Sequence, residues 1–390
     1  MNAGRYGIFF RCFAVPFLIL VLATTSPAGC ASTADDLALK LSSSGKNAVR
    51  PTAAAETEFR PTALRRPGGP IRGIYVSAGV AGSRRMDALI RLVKETELNA
   101  MVIDVNGPIL LPAVSSSGTI VRRARATESF RRLVDQLKKQ NIYLIARVVT
   151  FKEPRFARAA PQLTMHRRDG RIWRDAKGYA WMEPFRKEAW AYPIALGEEA
   201  ARIGFDEVQF DYVRFPENQA RVDREVAYRN PERWSRNEAI GKFLQKATAR
   251  IHRDGAIVSA DVFGMVATTR SDMGIGQSWA KVASAVDVIS PMVYPSHYAD
   301  GTWGIRDPDL KPGPIVAHAL HDAGRQNRQL RSGGRSAAEV RPWLQSFTAS
   351  WVHPHQRYGS AQIRQQIEAA RREGMTSYLL WNASCRYPNF

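Results

Sequence analysis

Short runs of β-forming residues alternate with amphipathic stretches from Ile71 onward, and this alternation constrains the fold more than any other feature of the chain. Eight runs predict strands, the seventh only weakly: 73–78, 100–105, 143–149, 207–213, 257–263, 286–293, 344–348 and 377–381. The stretches between them carry apolar residues at helical spacing, as Phe130, Val134 and Leu137 do within 128–140. Further helices are predicted over 84–97, up to residue 203, and over 237–252, 278–285, 314–322 and 360–373. Strands and helices alternating over about 320 residues predict a (β/α)8 TIM barrel.

A doubly wound open sheet is the alternative fold, because it shows the same alternation. Its dinucleotide-binding form needs a Gly-x-Gly-x-x-Gly turn after the first strand, and none follows 73–78. The barrel makes the sharper prediction, since its chemistry is expected at the C-terminal ends of the strands.

The first 30 residues have the pattern of an export signal. Arg5 and Arg11 precede an apolar run over 12–23, and small residues follow over 26–30. The run is shorter than the roughly 20 apolar residues that a membrane-spanning helix needs. We therefore predict a signal peptide over 1–30, a flexible linker over 31–70 rich in Ala, Ser, Thr and Pro, and a single folded domain over 71–390.

Ala28-Gly29-Cys30 also resembles the end of a bacterial lipobox, in which Cys30 becomes the lipidated first residue. Pro27 departs from that motif, which usually has an aliphatic residue there. Two alternatives follow: a lipoprotein anchored to the membrane through Cys30, or a freely soluble exported protein. In both, the expected location is the periplasm or the outer cell envelope.

The chain is strongly basic, with 56 Lys and Arg against 36 Asp and Glu and a net charge of +20. Such a balance favours an anionic partner. The excess is spread along the chain, and a spread excess is weaker support for a nucleic-acid surface than a clustered one. Export also disfavours nucleic acid, because an envelope protein meets acidic polysaccharide first.

Several chemistries are disfavoured by the motifs that the sequence lacks. Three cysteines without a Cys-x-x-Cys pair exclude a disulfide framework and a zinc ribbon. The close histidine pairs are His318 with His321 and His353 with His355, and Asp322 is the one carboxylate near the first pair. A serine nucleophile elbow and a P-loop are also missing. We expect no catalytic metal and no cofactor.

The fourth predicted strand carries an unusual polar face. With a period of two, Glu207, Gln209 and Asp211 share one face, and Val208 and Phe210 lie on the other. The apolar face should meet the helices, so the polar face should point into the barrel. Burying three polar groups in a row costs several kcal/mol unless they find partners. Asp211, nearest the C-terminal mouth, is the first candidate for chemistry, whereas Asp206 and Glu207 lie at the start of the strand and are expected to be structural.

Other strands bring polar and aromatic residues to the same mouth. The candidates are Asp104, Arg147, Tyr212, Arg214, Asp261, Tyr294, His297, Trp381 and Asn382. Neighbouring carboxylates suit glycosidic cleavage, in which one group protonates the leaving oxygen and the other is a nucleophile or a base. Aromatic rings offer flat apolar faces to sugars, and Arg and Asn offer hydrogen bonds.

Long motifs around these residues resemble a glycoside hydrolase-like family of bacterial envelope proteins once described as a domain of unknown function. The motifs are Phe-Asp-Glu-Val-Gln-Phe-Asp-Tyr-Val-Arg-Phe-Pro at 205–216, Ser-Ala-Asp-Val-Phe-Gly at 259–264 and Ile-Ser-Pro-Met-Val-Tyr-Pro-Ser-His-Tyr at 289–298. The opening Arg-Gly-Ile-Tyr-Val and the closing Leu-Leu-Trp-Asn-Ala-Ser are similar to it too, so that the resemblance spans Ile71 to Ser384. It implies a barrel glycosidase with an acidic residue ending the fourth strand, hence Asp211 as nucleophile or base and Asp261 as general acid.

Each candidate also has a structural alternative. Asp211 pairs with Arg147 or Arg214 if it serves the fold alone, and Arg214 can reach the mouth only if the strand has ended before it. The aromatic connection over 151–186 forms either a lid or a packed loop. For the whole protein, the alternative is a non-catalytic barrel that binds an envelope glycan, and a nucleic-acid-binding surface is a third and weaker interpretation.

Overall fold

The computed structural model describes residues 63–115 and 119–389. The predicted signal peptide, Cys30 and most of the predicted linker therefore lie outside the described residues. Within the described part, no helix has the length and apolar character needed to cross a membrane.

Eight parallel strands form a closed barrel. They are β1 Arg72–Val76, β2 Ala100–Asp104, β3 Tyr143–Val149, β4 Glu207–Asp211, β5 Ile257–Phe263, β6 Val288–Met292, β7 Trp343–Gln345 and β8 Tyr378–Trp381. Each strand pairs with the next along the chain, and β8 pairs with β1 through Leu379 and Gly73, which closes the ring. The (β/α)8 TIM barrel predicted from the alternation is confirmed.

Helices connect the strands and cover the outside of the barrel. They are α1 Ala78–Ala81, α2 Arg85–Glu95, α3 Glu128–Lys139, α4 Pro154–Ala159, α5 Ala191–Arg202, α6 Gln219–Glu225, α7 Arg236–Arg253, α8 Trp279–Ala283, α9 Pro312–Ser332 and α10 Ser360–Arg372. Two small antiparallel hairpins, pairing Ile109–Leu110 with Arg125–Ala126 and Ala113–Val114 with Ile120–Arg122, lie between β2 and α3. Their position after β2 places them on the side of the barrel where strands end.

Two of the predicted elements differ most from the structure. β7 covers 343–345 instead of 344–348, and a short strand, Glu339–Val340, pairs with the start of β6. Pro342 lies between the two segments and has no N–H to donate, which interrupts the ladder. Helix α9 runs to Ser332, ten residues beyond the predicted end, because buried Asn327 and Leu330 continue its inner face through a polar stretch.

The lower half of the barrel lumen is held by a buried ion pair. Arg341 Nη1 donates to both carboxylate oxygens of Glu207 at 3.0 and 2.9 Å, and neither side chain is exposed. One layer higher, Gln209 donates to Ser290 Oγ at 3.3 Å. The polar face of β4 thus points into the barrel as the sequence predicts, and Glu207 has the structural role expected of it.

Removing one partner of this pair should destabilise the fold far more than removing both. Arg341→Met leaves a buried carboxylate, so we expect the free energy of unfolding to fall by about 3–5 kcal/mol. Adding Glu207→Gln removes the orphaned charge and should restore part of that loss. Urea unfolding at neutral pH measures both variants, with the exposed Arg331→Met, expected within about 0.5 kcal/mol of the wild type, as control. If Arg341→Met alone were as stable as the Arg331→Met control, the structural role of the pair would be contradicted.

Candidate active site

Four charged side chains lie at the C-terminal ends of four consecutive strands. The register aligns Asp104 of β2 with Arg147 of β3, and Arg147 with Gln209 of β4. Asp211 and Asp261 each lie one position beyond the paired residues Phe210 and Ala260, so that the two carboxyls occupy the same level of β4 and β5. The structure thereby brings together the four charged residues that the sequence places at the strand ends.

Arg147 connects two of the carboxylates. Its Nη1 donates to Asp104 Oδ1 at 2.5 Å, its Nε donates to Asp211 Oδ2 at 3.0 Å, and its Nη2 donates to the same Asp211 oxygen. Asp104 also accepts a hydrogen bond from the Tyr75 hydroxyl at 2.6 Å. Burial by itself lowers the pKa of the guanidinium, but the two carboxylates hold the pKa of Arg147 well above its usual value. The pairing of Asp211 with Arg147, one of the two alternatives left by the sequence, is therefore the one observed.

Asp211 is fixed at the point where β4 ends. The next residue, Tyr212, has a φ of 51°, in the left-handed region that non-glycine residues seldom adopt. This turn lets the Tyr212 N–H donate to Asp211 Oδ1 at 2.6 Å, while Arg147 serves Oδ2. A carboxylate, which only accepts hydrogen bonds, matches these N–H donors on both oxygens.

Asp261 has a different environment. It is 2% exposed, and Trp343 Nε1 donates to its Oδ1 at 2.8 Å. Gln277 holds its backbone by donating to the carbonyl at 3.0 Å. Burial, and then the charge of Asp211, raise the pKa of Asp261 well above its usual value, although Arg147 and the Trp343 hydrogen bond oppose the shift. The environment of Asp261 thus favours its neutral, proton-carrying form.

The floor of the mouth therefore carries one unit of negative charge. Asp104 and Asp211 contribute two negative charges, Arg147 contributes one positive charge, and neutral Asp261 contributes none. A negative, largely water-excluded surface stabilises positive charge that develops on a reacting group.

Aromatic rings form one wall of the mouth. Trp381, partly exposed, packs against Tyr75 with ring centroids 4.2 Å apart and planes tilted by 32°, and it meets Trp343 edge-on at 5.5 Å. The guanidinium of Arg147 lies 5.1 Å from the Trp381 ring centroid. This contact joins the aromatic wall to the charged floor.

A second aromatic group follows β6. The ring of Tyr294 lies 5.2 Å from that of His297 and 5.6 Å from that of Phe347. Tyr294 is buried and His297 is exposed, with its Nδ1 3.0 Å from Ser296 Oγ. The predicted loop residues thus combine a buried hydroxyl-bearing ring with an exposed imidazole.

Arg214 lies among aromatic side chains, apart from the carboxylate cluster. It is 5% exposed, and its guanidinium carbon lies 4.7 to 5.3 Å from the ring centroids of Phe263, Trp181 and Tyr212. It donates to Glu217 Oε1 at 2.9 Å. Arg214 therefore has its own acidic partner and does not pair with Asp211.

The aromatic connection over 151–186 is a packed loop. Trp173 and Trp181 are each 2% exposed, and their indole N–H groups donate to Glu225 at 2.8 Å and to Asp175 at 3.0 Å. Of the two alternatives, lid and packed loop, these buried and bonded indoles support the packed loop. Lys152, which the sequence did not single out, lies within 5.6 Å of the ring centroids of Tyr179, Trp181 and Tyr212 and pairs with Asp175 at 3.2 Å.

Asn382 is occupied by the backbone that follows β8. Its amide donates to the carbonyls of Ser346 at 2.5 Å and Arg386 at 2.8 Å, and its oxygen accepts from the Ser384 N–H and hydroxyl. These bonds hold the turn after Trp381. A role for Asn382 in binding substrate remains a prediction.

Two residues of the site were missed from the sequence. Tyr75 bonds Asp104, and Trp343 bonds Asp261. Period two in the first strand places Tyr75 on the face of Gly73, a signal that was available but unremarkable in an apolar run. Trp343 lies one residue before the predicted seventh strand, so that no alternation there identified it.

Neither histidine pair assembles into a metal-binding group in the part of the chain that the structure describes. His318 stacks on Trp303 at 5.3 Å, and His321 Nδ1 lies 3.4 Å from Glu373 Oε2. No three His, Cys, Asp or Glu side chains among residues 63–115 and 119–389 are arranged to hold a metal ion.

Comparison with known proteins identifies the family. Residues 73–387 match the family described as "Putative glycosyl hydrolase domain". Among curated protein sequences, none matches the chain significantly. Because the match covers most of the chain, the protein belongs to this family of glycosyl hydrolases, whose substrates are carbohydrates. The resemblance read from the motifs is thereby confirmed.

A solved glycoside hydrolase domain shares the fold of this chain. The glycoside hydrolase domain of PgaB (BpsB) from Bordetella bronchiseptica is 15% identical, has a TM-score of 0.57, and the match covers 81% of this chain and 95% of that one. A hypothetical protein from Ruminiclostridium thermocellum ATCC 27405 is 27% identical with a TM-score of 0.39, over 48% of this chain and 97% of that one. An endo-1,4-β-D-mannanase from Thermotoga petrophila RKU-1 is 13% identical with a TM-score of 0.49, over 83% and 94%.

The environment of Asp261 predicts how Asp261→Asn changes stability with pH. At low pH the Asp261 carboxyl is protonated in both the folded and the unfolded wild-type protein. As the pH rises past about 4, the unfolded carboxyl ionises while the folded one keeps its proton, so the wild type loses stability by up to about 1.4 kcal/mol per pH unit. Asn has no such group, so the variant should gain stability relative to the wild type as the pH rises above about 4.

Denaturant unfolding at several pH values measures this difference. The exposed Asp135→Asn on α3 makes the same chemical change outside the site and serves as the control. A stability difference between Asp261→Asn and the wild type that stays constant across this pH range would show that Asp261 is not held neutral.

Proposed function

We propose that the protein hydrolyses a glycosidic bond in an envelope or extracellular polysaccharide, with Asp261 as general acid and Asp211 as the ionised partner. One observation carries the proposal: two carboxyls at one level of adjacent strands have opposite environments. Asp211 is bonded to Arg147, and Asp261 is buried with a raised pKa. A glycosidase needs such a division between its two carboxyls.

In the proposed reaction, Asp261 gives its proton to the glycosidic oxygen as the bond from that oxygen to the anomeric carbon breaks. The anomeric carbon gains positive character, and either Asp211 or a water molecule deprotonated by Asp211 attacks it. In the first case, the ionised Asp261 deprotonates the water that hydrolyses the glycosyl-enzyme intermediate, and so regains the proton that it donated. In the second case, the proton of the attacking water passes to Asp211, and exchange with solvent restores both groups.

The other charged groups support this division of roles. Arg147 orients Asp211 by donating two hydrogen bonds to its Oδ2. The remaining single negative charge of the floor favours an oxocarbenium-like transition state over the neutral substrate. Asp104, bonded to Tyr75 and Arg147, holds the guanidinium from the opposite side and lies where it can bind a sugar hydroxyl.

Sugar binding is assigned to the aromatic wall and its neighbours. Trp381 offers a partly exposed indole beside the floor, and Tyr294 and His297 border it after β6. Tyr212 and Arg214 lie beside the end of β4. The net charge of +20 supports an acidic or cell-wall-associated polysaccharide as substrate.

Exchange of each carboxyl for its amide should abolish most turnover. The assay follows the release of reducing ends from bacterial and acidic polysaccharides. It compares the full mature chain with its Asp211→Asn and Asp261→Asn variants and with the control Asp135→Asn. We expect kcat/KM to fall by roughly 10²–10⁴-fold in the two site variants and to stay unchanged in the control. On aryl glycosides whose leaving group needs no protonation, Asp261→Asn should keep much more of its activity than Asp211→Asn.

Other outcomes have equally definite meanings. If turnover survives in Asp211→Asn, another carboxylate must act as the nucleophile or base, and Asp104 is the next candidate. Binding of one glycan without turnover, equal in wild type and Asp211→Asn, would make the protein a non-catalytic glycan-binding barrel. Loss of that binding in Trp381→Ala would then locate the glycan at the same mouth.

We also propose that the protein is exported and anchored to the envelope through a lipid on Cys30. Cys30→Ser removes the thiol that would carry the lipid, so a protein found with membranes should move to the soluble periplasmic fraction. Fractionation after expression of the full chain in a bacterial host, with mass measurement of the mature N-terminus, tests this. An unlipidated N-terminus and a soluble wild type would instead favour the freely exported form.

A further inference from the structure

A basic, tryptophan-lined cleft lies on the outer flank of the barrel, where the start of α5 meets α7. Its volume is about 510 Å³, and it is lined by Lys187, Trp190, Trp234, Lys242, Gln245 and Lys246. None of these residues belongs to the mouth formed by Asp104, Arg147, Asp211 and Asp261. The proposed mechanism gives the cleft no task.

The cleft has a rigid aromatic base. Trp190 is 2% exposed, is bonded through its indole N–H to the Pro184 carbonyl at 2.8 Å, and stacks on Trp234 with centroids 5.6 Å apart and planes 18° apart. Trp234 itself is only partly buried. Its backbone is bracketed by Asn230, whose side chain accepts from the Trp234 N–H at 3.1 Å and donates to the Trp234 carbonyl at 2.7 Å.

The backbone before Trp234 is in a costly conformation. Arg233 has a φ of 53°, in the left-handed region that non-glycine residues seldom adopt because of the strain it causes. The chain thus holds Trp234 in place at an energetic cost, with the Ser235 capping box fixing the start of α7 directly after it. An exposed indole held in this way resembles a binding platform more than a residue placed by burial alone.

Three lysines surround this platform. Lys187 and Lys242 Nζ lie 5.1 and 5.5 Å from the Trp234 ring centroid, and Lys246 Nζ lies 6.0 Å from that of Trp190. Lys187 pairs with Glu232 at 2.6 Å. Among the described residues, neither Lys242 nor Lys246 has a carboxylate within ion-pair distance, and the two repel each other one turn apart on α7.

We infer that this cleft binds an anionic polysaccharide, with acidic groups on the lysines and a sugar ring against Trp234. Two unpaired ammonium groups supply charge complementarity to carboxylates about one helical turn apart, and the indole supplies an apolar face for a pyranose ring. On binding, Lys242 would turn from the indole to a carboxylate, which uncovers that face. The cleft would hold polymer beside the mouth, and this inference does not depend on the roles of Asp211 and Asp261.

A binding measurement with the mature chain tests the inference. The chain carries Asp211→Asn, so that hydrolysis does not deplete the ligand. The probes are polygalacturonate, neutral dextran and a single-stranded DNA oligomer, and binding is followed by tryptophan fluorescence and calorimetry. We expect polygalacturonate to bind, dextran to bind much more weakly, and added salt to weaken the interaction. Lys242→Gln with Lys246→Gln, and separately Trp234→Ala, should each weaken polygalacturonate binding about tenfold.

The matched control is Lys94→Gln with Lys139→Gln, which removes the same charge from exposed positions on α2 and α3. Equal loss in this control and in the cleft double variant would overturn the inference in favour of a general surface-charge effect. DNA bound more tightly than polygalacturonate, with the same dependence on Lys242, would overturn it in favour of a nucleic-acid site. If Trp234→Ala fails to fold, two other variants decide the outcome. Trp234→Phe keeps an aromatic ring at this position, and Lys242→Gln with Lys246→Gln leaves the indole in place.

Discussion

The guanidinium of Arg147, buried between Asp104 and Asp211, is the interaction on which the rest of the mouth depends. A buried cation with 6% exposure is unstable unless opposite charges and hydrogen bonds compensate it, and the two carboxylates provide both. Arg147 in turn orients both carboxylates, because it donates one hydrogen bond to Asp104 and two to Asp211. These ion pairs connect β2, β3 and β4. The orientation of each of the three charged side chains is determined by the other two.

This arrangement also explains why two aspartates on neighbouring strands differ. Arg147 donates to Asp211 directly and reaches Asp261 only through space, while the charge of Asp211 raises the pKa of Asp261. The raised pKa is therefore that of the carboxyl that lacks the guanidinium. Below this level, Glu207 and Arg341 neutralise each other, so that the lower ion pair stabilises the barrel without competing for the chemistry of the mouth.

Positive and negative charges are unevenly distributed over the molecule. The mouth carries one net negative charge although the chain carries +20, and the basic surface includes the lysine cleft beside α7. A negative floor suits a developing cation, and a positive exterior suits an acidic polymer. Membership of a glycosyl hydrolase family implies a carbohydrate substrate.

The sequence alone determined the architecture and the strand ends at which chemistry is placed. Period two along 207–211 put Asp211 in the lumen, and β3 and β5 have the bounds that their apolar runs predict. These properties are local, since the alternation of side chains follows from backbone geometry. The weaker patterns failed where a proline interrupted β7 and where polar residues concealed the inner face of α9.

Only the tertiary structure decided which partner each side chain has. Three contacts join residues more than 60 positions apart: the ion pair of Asp211 with Arg147 in place of Arg214, the bond from Trp343 to Asp261, and the tilted ring contact of Tyr75 with Trp381. The register of the strands and the closure of the barrel set these contacts, and local periodicity contains neither. The protonation of Asp261 depends on the same contacts, because a pKa responds to burial and neighbouring charge, which exist only after the strands have come together.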